Sequence, residues 1–194
     1  MRPAVFLDRD GTLIEERGYL DRLDLIALIA RAPAALRRLQ EAGFALVVVT
    51  NQAGVARGLF DEAFVRQAHE HLATLLARDG IALDGYYYCP HHPDGIVDRY
   101  RRVCRCRKPG PGMVEQAARE LHLDVGRSFV VGDKWLDVEM ARNAGARGIL
   151  VRTGYGAGVE TAMPSDLEPA GVVDTLADAA ELIVAAAHEA PRPR

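Results

Sequence analysis

The feature that most limits how this chain folds is a short apolar segment, residues 4–7, that runs directly into two acids. Four residues rich in β-formers, followed by Asp8, Asp10 and a Gly-Thr pair, predict a buried strand that ends at a polar site. Because side chains alternate along an extended backbone, Asp8 and Asp10 are expected on one face, with Arg9 pointing away. Two carboxylates on one face repel each other unless a cation lies between them. Oxygen ligands of this kind favour Mg²⁺, so the segment predicts a magnesium site.

Apolar segments alternate with amphipathic ones along the rest of the chain. The further predicted strands are 44–49, 85–88, 128–131, 148–151 and 171–173, and the predicted helices are 33–42, 61–78, 113–121, 135–143 and 176–188. This alternation implies right-handed crossovers and a doubly wound α/β fold with a mainly parallel sheet. Residues 1–190 are expected to form a single domain and residues 190–194 a frayed tail. The loop 15–32 is too short for a large inserted cap domain.

Length and charge narrow the classes of partner. A chain of 194 residues, of which 49% are hydrophobic, can bury a full core without a disulfide. The net charge of −3 gives no general reason to bind nucleic acid or a membrane surface. No apolar run reaches the roughly eighteen residues of a membrane span, and the N-terminus lacks the pattern of a signal peptide. We therefore expect a cytoplasmic protein with a small-molecule partner, no nucleic acid and no membrane.

Polar side chains follow three of the predicted strands. Asp8 and Asp10 follow the first strand, Thr50 and Asn51 the second, and Asp133 the fourth. Such residues also occur in turns and helix caps, but turn chemistry does not explain five of them after three strands. In doubly wound sheets, ligands bind outside the carboxyl ends of the strands. The five side chains are therefore expected to face one site.

A proline-rich loop, residues 89–111, holds all three cysteines of the chain. Cys89, His91, Cys104 and Cys106 offer three thiolates and an imidazole, which suit tetrahedral Zn²⁺, and His92 could replace His91. An odd number of cysteines in a cytosolic chain argues against a disulfide framework, and the alternative is three free thiols. Four protein ligands leave no open position. The zinc is therefore expected to be structural and to staple the loop 89–106.

Four motifs, in order, resemble those of the haloacid dehalogenase superfamily. They are Asp8-Arg9-Asp10-Gly11-Thr12, Thr50-Asn51-Gln52, Lys108-Pro109, and Gly132-Asp133-Lys134 with Asp137. The resemblance spans about residues 4 to 153 and implies a haloacid dehalogenase-like, Mg²⁺-dependent phosphomonoester hydrolase. Hydrolysis of a phosphate monoester is among the slowest uncatalysed reactions, so several groups must act together.

The resemblance also implies a role for each of these residues. Asp8 would attack phosphorus and form an aspartyl-phosphate, and Asp10 would act as acid and then as base. Asp8, Asp133 and the Asp10 backbone carbonyl would bind Mg²⁺. Thr50 and Lys108 would hold phosphoryl oxygens. For Asp137 we expect that it orients Lys134 or caps its helix rather than binding the metal directly.

The zinc loop narrows the resemblance to superfamily members that remove one phosphate from heptose 1,7-bisphosphate, on the route to nucleotide-activated heptose. The residues that would contact the substrate by this resemblance are Glu16, Arg17, Gly18, Tyr19, Asn51, Gln52, Ala53, Arg107 and Lys134. Arg107 would bind the phosphate that is not cleaved, since a guanidinium binds phosphate with two hydrogen bonds. Residues 154–169 match no part of the pattern and are expected to have no role in the chemistry. The enzyme is expected to be a monomer.

Two alternatives stay open on the sequence. Histidinol-phosphate phosphatases share the fold, the acids and the zinc loop, but their substrate carries an amine where the bisphosphate has its second anion. In another class of protein, the zinc loop would be a nucleic-acid-binding module without catalysis, because six cations lie within ten residues: Arg99, Arg101, Arg102, Arg105, Arg107 and Lys108. The complete set of catalytic positions and the acidic net charge argue against that second reading.

Overall fold

The structure is a computed structural model that describes residues 1–189. Its strands are β1 (Ala4–Leu7), β2 (Ala45–Asn51), β3 (Gly85–Cys89), β4 (Phe129–Gly132), β5 (Arg147–Val151) and β6 (Gly171–Val173). Its α-helices are α1 (Ala32–Glu41), α2 (Ala53–Ala56), α3 (Glu62–Ala77), α4 (Gly112–Leu121), α5 (Trp135–Ala144), α6 (Gly156–Val159) and α7 (Leu176–Glu189). The predicted strands and long helices are present, with ends shifted by a few residues. The expected frayed tail, 190–194, lies outside the described residues, and the single-domain assignment stays a prediction.

All six strands are parallel and form one sheet in the order β3-β2-β1-β4-β5-β6. The chain first builds outward from β1 to β3 and then returns to the other side of β1 with β4. Strand order therefore reverses beside β1, where Leu7 pairs with Val48 of β2 and with Val131 of β4. A crevice at such a switch point is the usual ligand site of a doubly wound sheet.

Two apolar layers cover the sheet. Along β1, Val5 and Leu7 pack into the layer that includes α1, α3 and α7, whereas Ala4 and Phe6 pack into the layer that includes α4 and α5. All four side chains are fully buried. A strand covered on both faces is read as a continuous apolar run rather than as an alternating pattern, which explains why residues 4–7 contain no polar residue.

Two connections leave the sheet at its carboxyl edge, one after β1 and one after β3. The segment between β1 and α1 stays small: Ile14 forms bridges with Asp10 and Leu28, and no separate cap domain is present among the described residues. The loop between β3 and α4 contains a short 3₁₀ turn, Asp98–Tyr100.

Within residues 1–189, no helix combines the length and the apolar character that crossing a bilayer requires.

The long loop is attached to α3 through Glu62. Its carboxylate accepts hydrogen bonds from the hydroxyls of Tyr88, at 2.6 Å, and Tyr100, at 2.5 Å. Asp61 caps α3 by accepting from the Phe64 N–H at 2.9 Å. Tyr100 is almost fully buried, so the contact ties the middle of the loop to the body of the sheet.

Candidate active site

The carboxyl ends of β1, β2 and β4 bring the predicted polar side chains to one edge of the sheet. Asp8 follows β1 directly, and its N–H donates to the Val131 carbonyl at 2.9 Å, so it is held in register with β4. Thr50 lies at the end of β2, and Asp133 follows β4. The side chains of Asp8, Thr50 and Asp133 are buried. The sheet therefore gives the site a rigid floor.

Three acids cluster on this floor. Asp8, Asp133 and Asp137 each place a carboxylate oxygen within 4.8 Å of the others. Burial, and then the charge of Asp8, raise the pKa of Asp133 to about 7. Burial raises the pKa of Asp137 to about 6, against the opposing effect of Lys108. Buried carboxylates this close need a cation to stay ionised at neutral pH.

Lys108 supplies one positive charge to the cluster. Its Nζ atom lies 2.7 Å from Asp8 Oδ1 and 2.5 Å from Asp137 Oδ1. Burial by itself would lower the pKa of Lys108, but the charges of Asp137 and Asp8 raise it above its ordinary value. The other oxygen of Asp137 accepts from the Lys134 N–H at 3.2 Å and caps α5. Asp137 therefore orients Lys108, and not the side chain of Lys134.

The remaining contacts of Asp133 leave one oxygen for a metal ion. Its Oδ2 accepts from the Tyr155 N–H at 2.8 Å, whereas its Oδ1 is buried and has no hydrogen-bond donor among the described residues. The closest cation, Lys134 Nζ, lies 3.4 Å from this oxygen. Buried oxygens without partners are rare in folded proteins. Together with Asp8, this oxygen offers the hard donor set that a divalent cation such as Mg²⁺ prefers.

Asp10 lies outside the acid cluster and contacts Arg9. The Arg9 Nε and one of its terminal nitrogens each lie 3.1 Å from an Asp10 oxygen, and Arg9 is buried. The expectation that Arg9 points away from the acids was wrong. It assumed strict alternation, but β1 ends at Leu7, so residues 8–10 are no longer extended strand. Gln52 binds the same carboxylate, with its Nε2 at 3.0 Å from Asp10 Oδ2.

The end of β2 also positions the segment that carries Lys108. Asn51 Oδ1 accepts from the Lys108 N–H at 3.0 Å, and Asn51 Nδ2 donates to the Lys108 carbonyl at 3.4 Å. The Thr50 hydroxyl accepts from Gln52 Nε2 at 2.9 Å. Asn51 therefore acts on the backbone of Lys108, a contact that a reading of side-chain chemistry alone does not anticipate.

Two cavities lie over the acids. An inner chamber of about 90 Å³ is lined by Asp8, Thr50 and Lys108, and an outer chamber of about 360 Å³ is lined by Tyr19 and Arg107. Both chambers have these residues in their walls: Asp10, Glu16, Gly18, Asn51, Lys134 and Leu136. The outer chamber also includes Gln52 and Ala53. Arg17 is exposed and lines neither chamber, so its contact with substrate stays a prediction.

The cysteines and one histidine meet in the loop after β3. The ligand atoms of Cys89, His91, Cys104 and Cys106 all lie within 4.8 Å of one another. Cys106 Sγ lies 3.2 Å from both other sulfurs and 3.3 Å from His91 Nδ1. No disulfide joins the three cysteines. His92 does not enter this cluster, because its Nδ1 accepts from the Asp94 N–H at 3.1 Å and its Nε2 faces Arg57.

Comparison with known proteins identifies the family. The HAD-hydrolase-like family model matches residues 105–179. The D-glycero-beta-D-manno-heptose-1,7-bisphosphate 7-phosphatase of Photorhabdus laumondii is 45% identical over 178 residues, which cover 91% of this chain and 92% of that protein. The phosphatase of the same name from Escherichia coli K12 is 49% identical over 154 residues, 78% of this chain and 80% of the relative. The chain belongs to the heptose-bisphosphate phosphatase family.

Solved structures of the heptose-bisphosphate phosphatase family share the fold. The D,D-heptose 1,7-bisphosphate phosphatase of B. bronchiseptica, crystallised with magnesium and phosphate, has a TM-score of 0.83 and 33% identity. The match covers 96% of this chain and 99% of that chain. The enzyme of the same kind from Burkholderia thailandensis has a TM-score of 0.68 and 28% identity, over 93% of this chain and 97% of that one. The resemblance stated from the motifs is confirmed.

One part of the site, the segment after β5, was not predicted from the sequence. The segment after β5 was expected to have no role, but Tyr155 donates its N–H to Asp133 and lines the outer chamber. Gly154 packs against the same acid, where a Cβ atom would collide with the Asp133 carboxylate. The available signal was position: residues 153–155 follow directly after a parallel strand, at the edge where ligands bind.

Proposed function

We propose that this chain hydrolyses the 7-phosphate of D-glycero-D-manno-heptose 1,7-bisphosphate, on the route to nucleotide-activated heptose. The observation that carries the proposal is the buried contact between Asp8 and Lys108 beneath the inner chamber. The inner chamber would hold the reacting phosphate, and the outer chamber the sugar with its second phosphate. Relatives at 45% and 49% identity carry the beta anomer in their names, which supports that anomer as the substrate.

The reaction has two halves. In the first, an Asp8 oxygen attacks phosphorus and the bond from phosphorus to the sugar oxygen breaks, while Asp10 gives that oxygen its proton. In the second, Asp10 takes a proton from water, the water oxygen attacks phosphorus, and the bond to Asp8 breaks to release inorganic phosphate. Thr50 and Lys108 hold the phosphoryl oxygens through both halves and stabilise the charge that develops on them.

The contacts of Asp10 fix the orientation of its carboxylate. Arg9 donates two hydrogen bonds to this group and Gln52 donates a third. Arg9 and Gln52 therefore hold Asp10 in place for both halves of the proposed reaction.

Asp8, Asp133 and the backbone carbonyl of Asp10 are the residues that we propose as the Mg²⁺ site. The unpartnered Asp133 oxygen beside Asp8 supports this assignment. When bound, the ion screens the negative charge of the nucleophile from that of the phosphate. Asp137 belongs to the same acid cluster, but its oxygens are already used by Lys108 and by the start of α5.

Cys89, His91, Cys104 and Cys106 are the residues that we propose as ligands of a structural Zn²⁺. Five of the six distances among the three sulfurs and His91 Nδ1 are 3.2 to 3.6 Å, and all four ligand atoms lie within 4.8 Å of one another, which suits tetrahedral coordination. The site is closed by four protein ligands and takes no part in the chemistry. Its effect is to fix the loop that leads into Arg107 and Lys108.

Arg107 is the residue that we propose for the phosphate that is not cleaved. It lines the outer chamber, and one of its terminal nitrogens donates to the His91 carbonyl at 3.3 Å, so the zinc loop helps to aim it. A fixed guanidinium favours a second phosphate over the amine of histidinol phosphate. Arg107 thus links the two proposals, because it contacts the proposed zinc ligand His91 and would also select the substrate with a second phosphate.

Phosphate release from the two anomers of the heptose bisphosphate, with histidinol phosphate as comparator, tests the proposal. We expect the beta anomer to have the highest kcat/KM and Asp8→Asn to abolish turnover. Asp24→Asn, which changes an exposed acid paired with Arg22, is the matched control and should keep wild-type rates. A higher kcat/KM for histidinol phosphate would overturn the substrate, and turnover by Asp8→Asn would overturn the nucleophile.

We also propose that the enzyme acts as a monomer in the cytoplasm. The acids, Lys108 and Arg107 all come from one chain, so the site needs no second copy. Three unoxidised thiols poised for zinc suit a reducing compartment. Light scattering on the purified protein tests the first point, since a stable dimer at working concentration would contradict it.

A further inference from the structure

The wall of the outer chamber includes an aromatic residue after β5 that none of the family motifs contains. Tyr155 lines this chamber with its side chain about half exposed, at 46% of the fully accessible area. It does not line the inner chamber, where the phosphoryl group would lie. The ring therefore faces the part of the pocket that would receive the sugar.

The chain around Tyr155 is hydrogen-bonded to Asp133 and to the segment that follows β1. The Tyr155 N–H donates to Asp133 Oδ2 at 2.8 Å, and the Thr153 hydroxyl donates to the Gly11 carbonyl at 2.6 Å. Gly154 between them has a φ of +56° and leaves no space for a side chain against Asp133. These contacts fix the backbone that carries the tyrosine ring, since it cannot shift without breaking the hydrogen bond to Asp133.

The ring also holds a lysine at the boundary of the two chambers. Lys134 Nζ lies 4.5 Å from the centre of the Tyr155 ring, 3.6 Å from Glu16 Oε2 and 3.4 Å from Asp133 Oδ1. A cation over an aromatic face is attracted by the ring electrons. Lys134 lines both chambers, so Tyr155 limits where its charge can lie.

We propose that Tyr155 determines specificity for the sugar part of the substrate. Its ring packs against the carbon face of the sugar, and Lys134, held over the same ring, binds an oxygen that the sugar or its phosphate presents. The inference rests on the proposed function, because it needs a substrate that extends from the inner into the outer chamber. A substrate confined to the inner chamber should not depend on the ring.

Kinetics of Tyr155 variants with a large and a small substrate test the proposal. Acetyl phosphate reaches the acids without a sugar, and the heptose bisphosphate fills both chambers. With Tyr155→Ala we expect KM for the bisphosphate to rise about tenfold at nearly constant kcat, as for lost uniform binding, and kcat/KM for acetyl phosphate to fall by less than about threefold. Tyr155→Phe keeps the ring and should restore KM. Met163→Ala, an exposed side chain in the same connection, is the control.

Each outcome of this experiment is decisive. An unchanged KM for the bisphosphate in Tyr155→Ala overturns the inference and leaves the proposed function standing. An equal loss on both substrates, with a weaker response to added Mg²⁺, overturns it in favour of a purely structural role through Asp133. Wild-type protein that hydrolyses acetyl phosphate but not the bisphosphate overturns the proposed function and the inference with it.

Discussion

The ammonium nitrogen of Lys108 lies 2.7 Å from a carboxylate oxygen of Asp8, although the two residues are 100 positions apart in the chain. Asp8 directly follows β1, whereas Lys108 lies near the end of the loop between β3 and α4 and is held by Asn51. The contact therefore joins the carboxyl end of a strand that is paired on both sides to the loop between β3 and α4. Both partners are buried, so the pair keeps most of its electrostatic strength in salt.

Replacing Lys108 by methionine tests the value of this contact. Lys108→Met keeps an unbranched side chain, shorter by one atom, but removes the charge that faces Asp8 and Asp137, so we expect kcat to fall at least about 100-fold. Arg101→Ala removes an exposed cation of the same loop and should leave kcat unchanged. Steady-state phosphate release measures both, with circular dichroism to confirm folding. A folded Lys108→Met protein with more than about a tenth of wild-type kcat would contradict the assignment.

Removing one ligand tests the zinc cluster. We expect purified protein to contain about one zinc ion per chain and Cys106→Ala to contain almost none, because three ligands bind far more weakly than four. The melting temperature should fall, and activity with it, since the loop also carries Lys108. Elemental analysis and a thermal scan measure these effects, and Val103→Ala, an exposed position between the ligands, is the control. Wild-type protein without zinc that is fully active and stable would refute the site.

Adding one methyl group at Gly154 tests the close packing of this glycine against the Asp133 carboxylate. Gly154 has a positive φ, and a Cβ there would strike the Asp133 carboxylate and the Gly11 backbone. We expect Gly154→Ala to require at least about tenfold more Mg²⁺ for half-maximal activity, because the acid must move. Gly158→Ala is a matched control, since a Cβ at Gly158 meets no atom within 4 Å. Equal Mg²⁺ titrations for the two variants would show that Asp133 tolerates the displacement.

His69 predicts a loss of stability in acid. Burial, and then the charge of Arg9, lower the pKa of His69 to about 3. Below about pH 6.5 the unfolded chain takes up a proton at His69 and the folded chain does not. The free energy of unfolding therefore decreases as the pH is lowered from about 6.5 to 3, by about 1.4 kcal/mol per pH unit. His69→Phe should reduce the difference in unfolding free energy between pH 7 and pH 5 by about 2 kcal/mol.

Urea unfolding at the two pH values measures the effect of His69. His188→Phe alters an exposed histidine of α7 and should leave the pH dependence as it is in the wild type. Phenylalanine can keep the stacking on the Tyr86 ring, whose centre lies 5.0 Å from that of His69. A His69→Phe protein with the wild-type pH dependence would show that other groups cause the acid sensitivity.

Much of the fold follows from local pattern. β1 and β2 could be predicted because a strand covered on both faces must be apolar throughout. The long helices could be predicted because one stripe of each packs on the sheet. The short helices α2 and α6 could not, since four residues are too few to show a helical period. The order of the strands could not be predicted from local pattern either, because the return of β4 to the side of β1 depends on packing across the whole sheet.

The site divides in the same way. Asp8, Thr50 and Asp133 could be predicted because residues that follow parallel strands meet at one edge. The Arg9–Asp10 pair could not, since it forms where the strand ends and alternation no longer constrains the side chains. Tyr155 acts on Asp133 through its backbone N–H, which every residue type but proline carries, so its identity gave no warning of that contact.

The position of β1 between β2 and β4 has a consequence for how such an enzyme changes over time. Amide hydrogens of a strand paired on both sides exchange with water only when the sheet opens, and Asp8, the proposed nucleophile, directly follows such a strand. Tyr155, Arg107 and Tyr19 instead stand on connections, where substitution disturbs few neighbours. Selection for a new sugar substrate can therefore change residues in the connections while the position of the Asp8 carboxylate is kept.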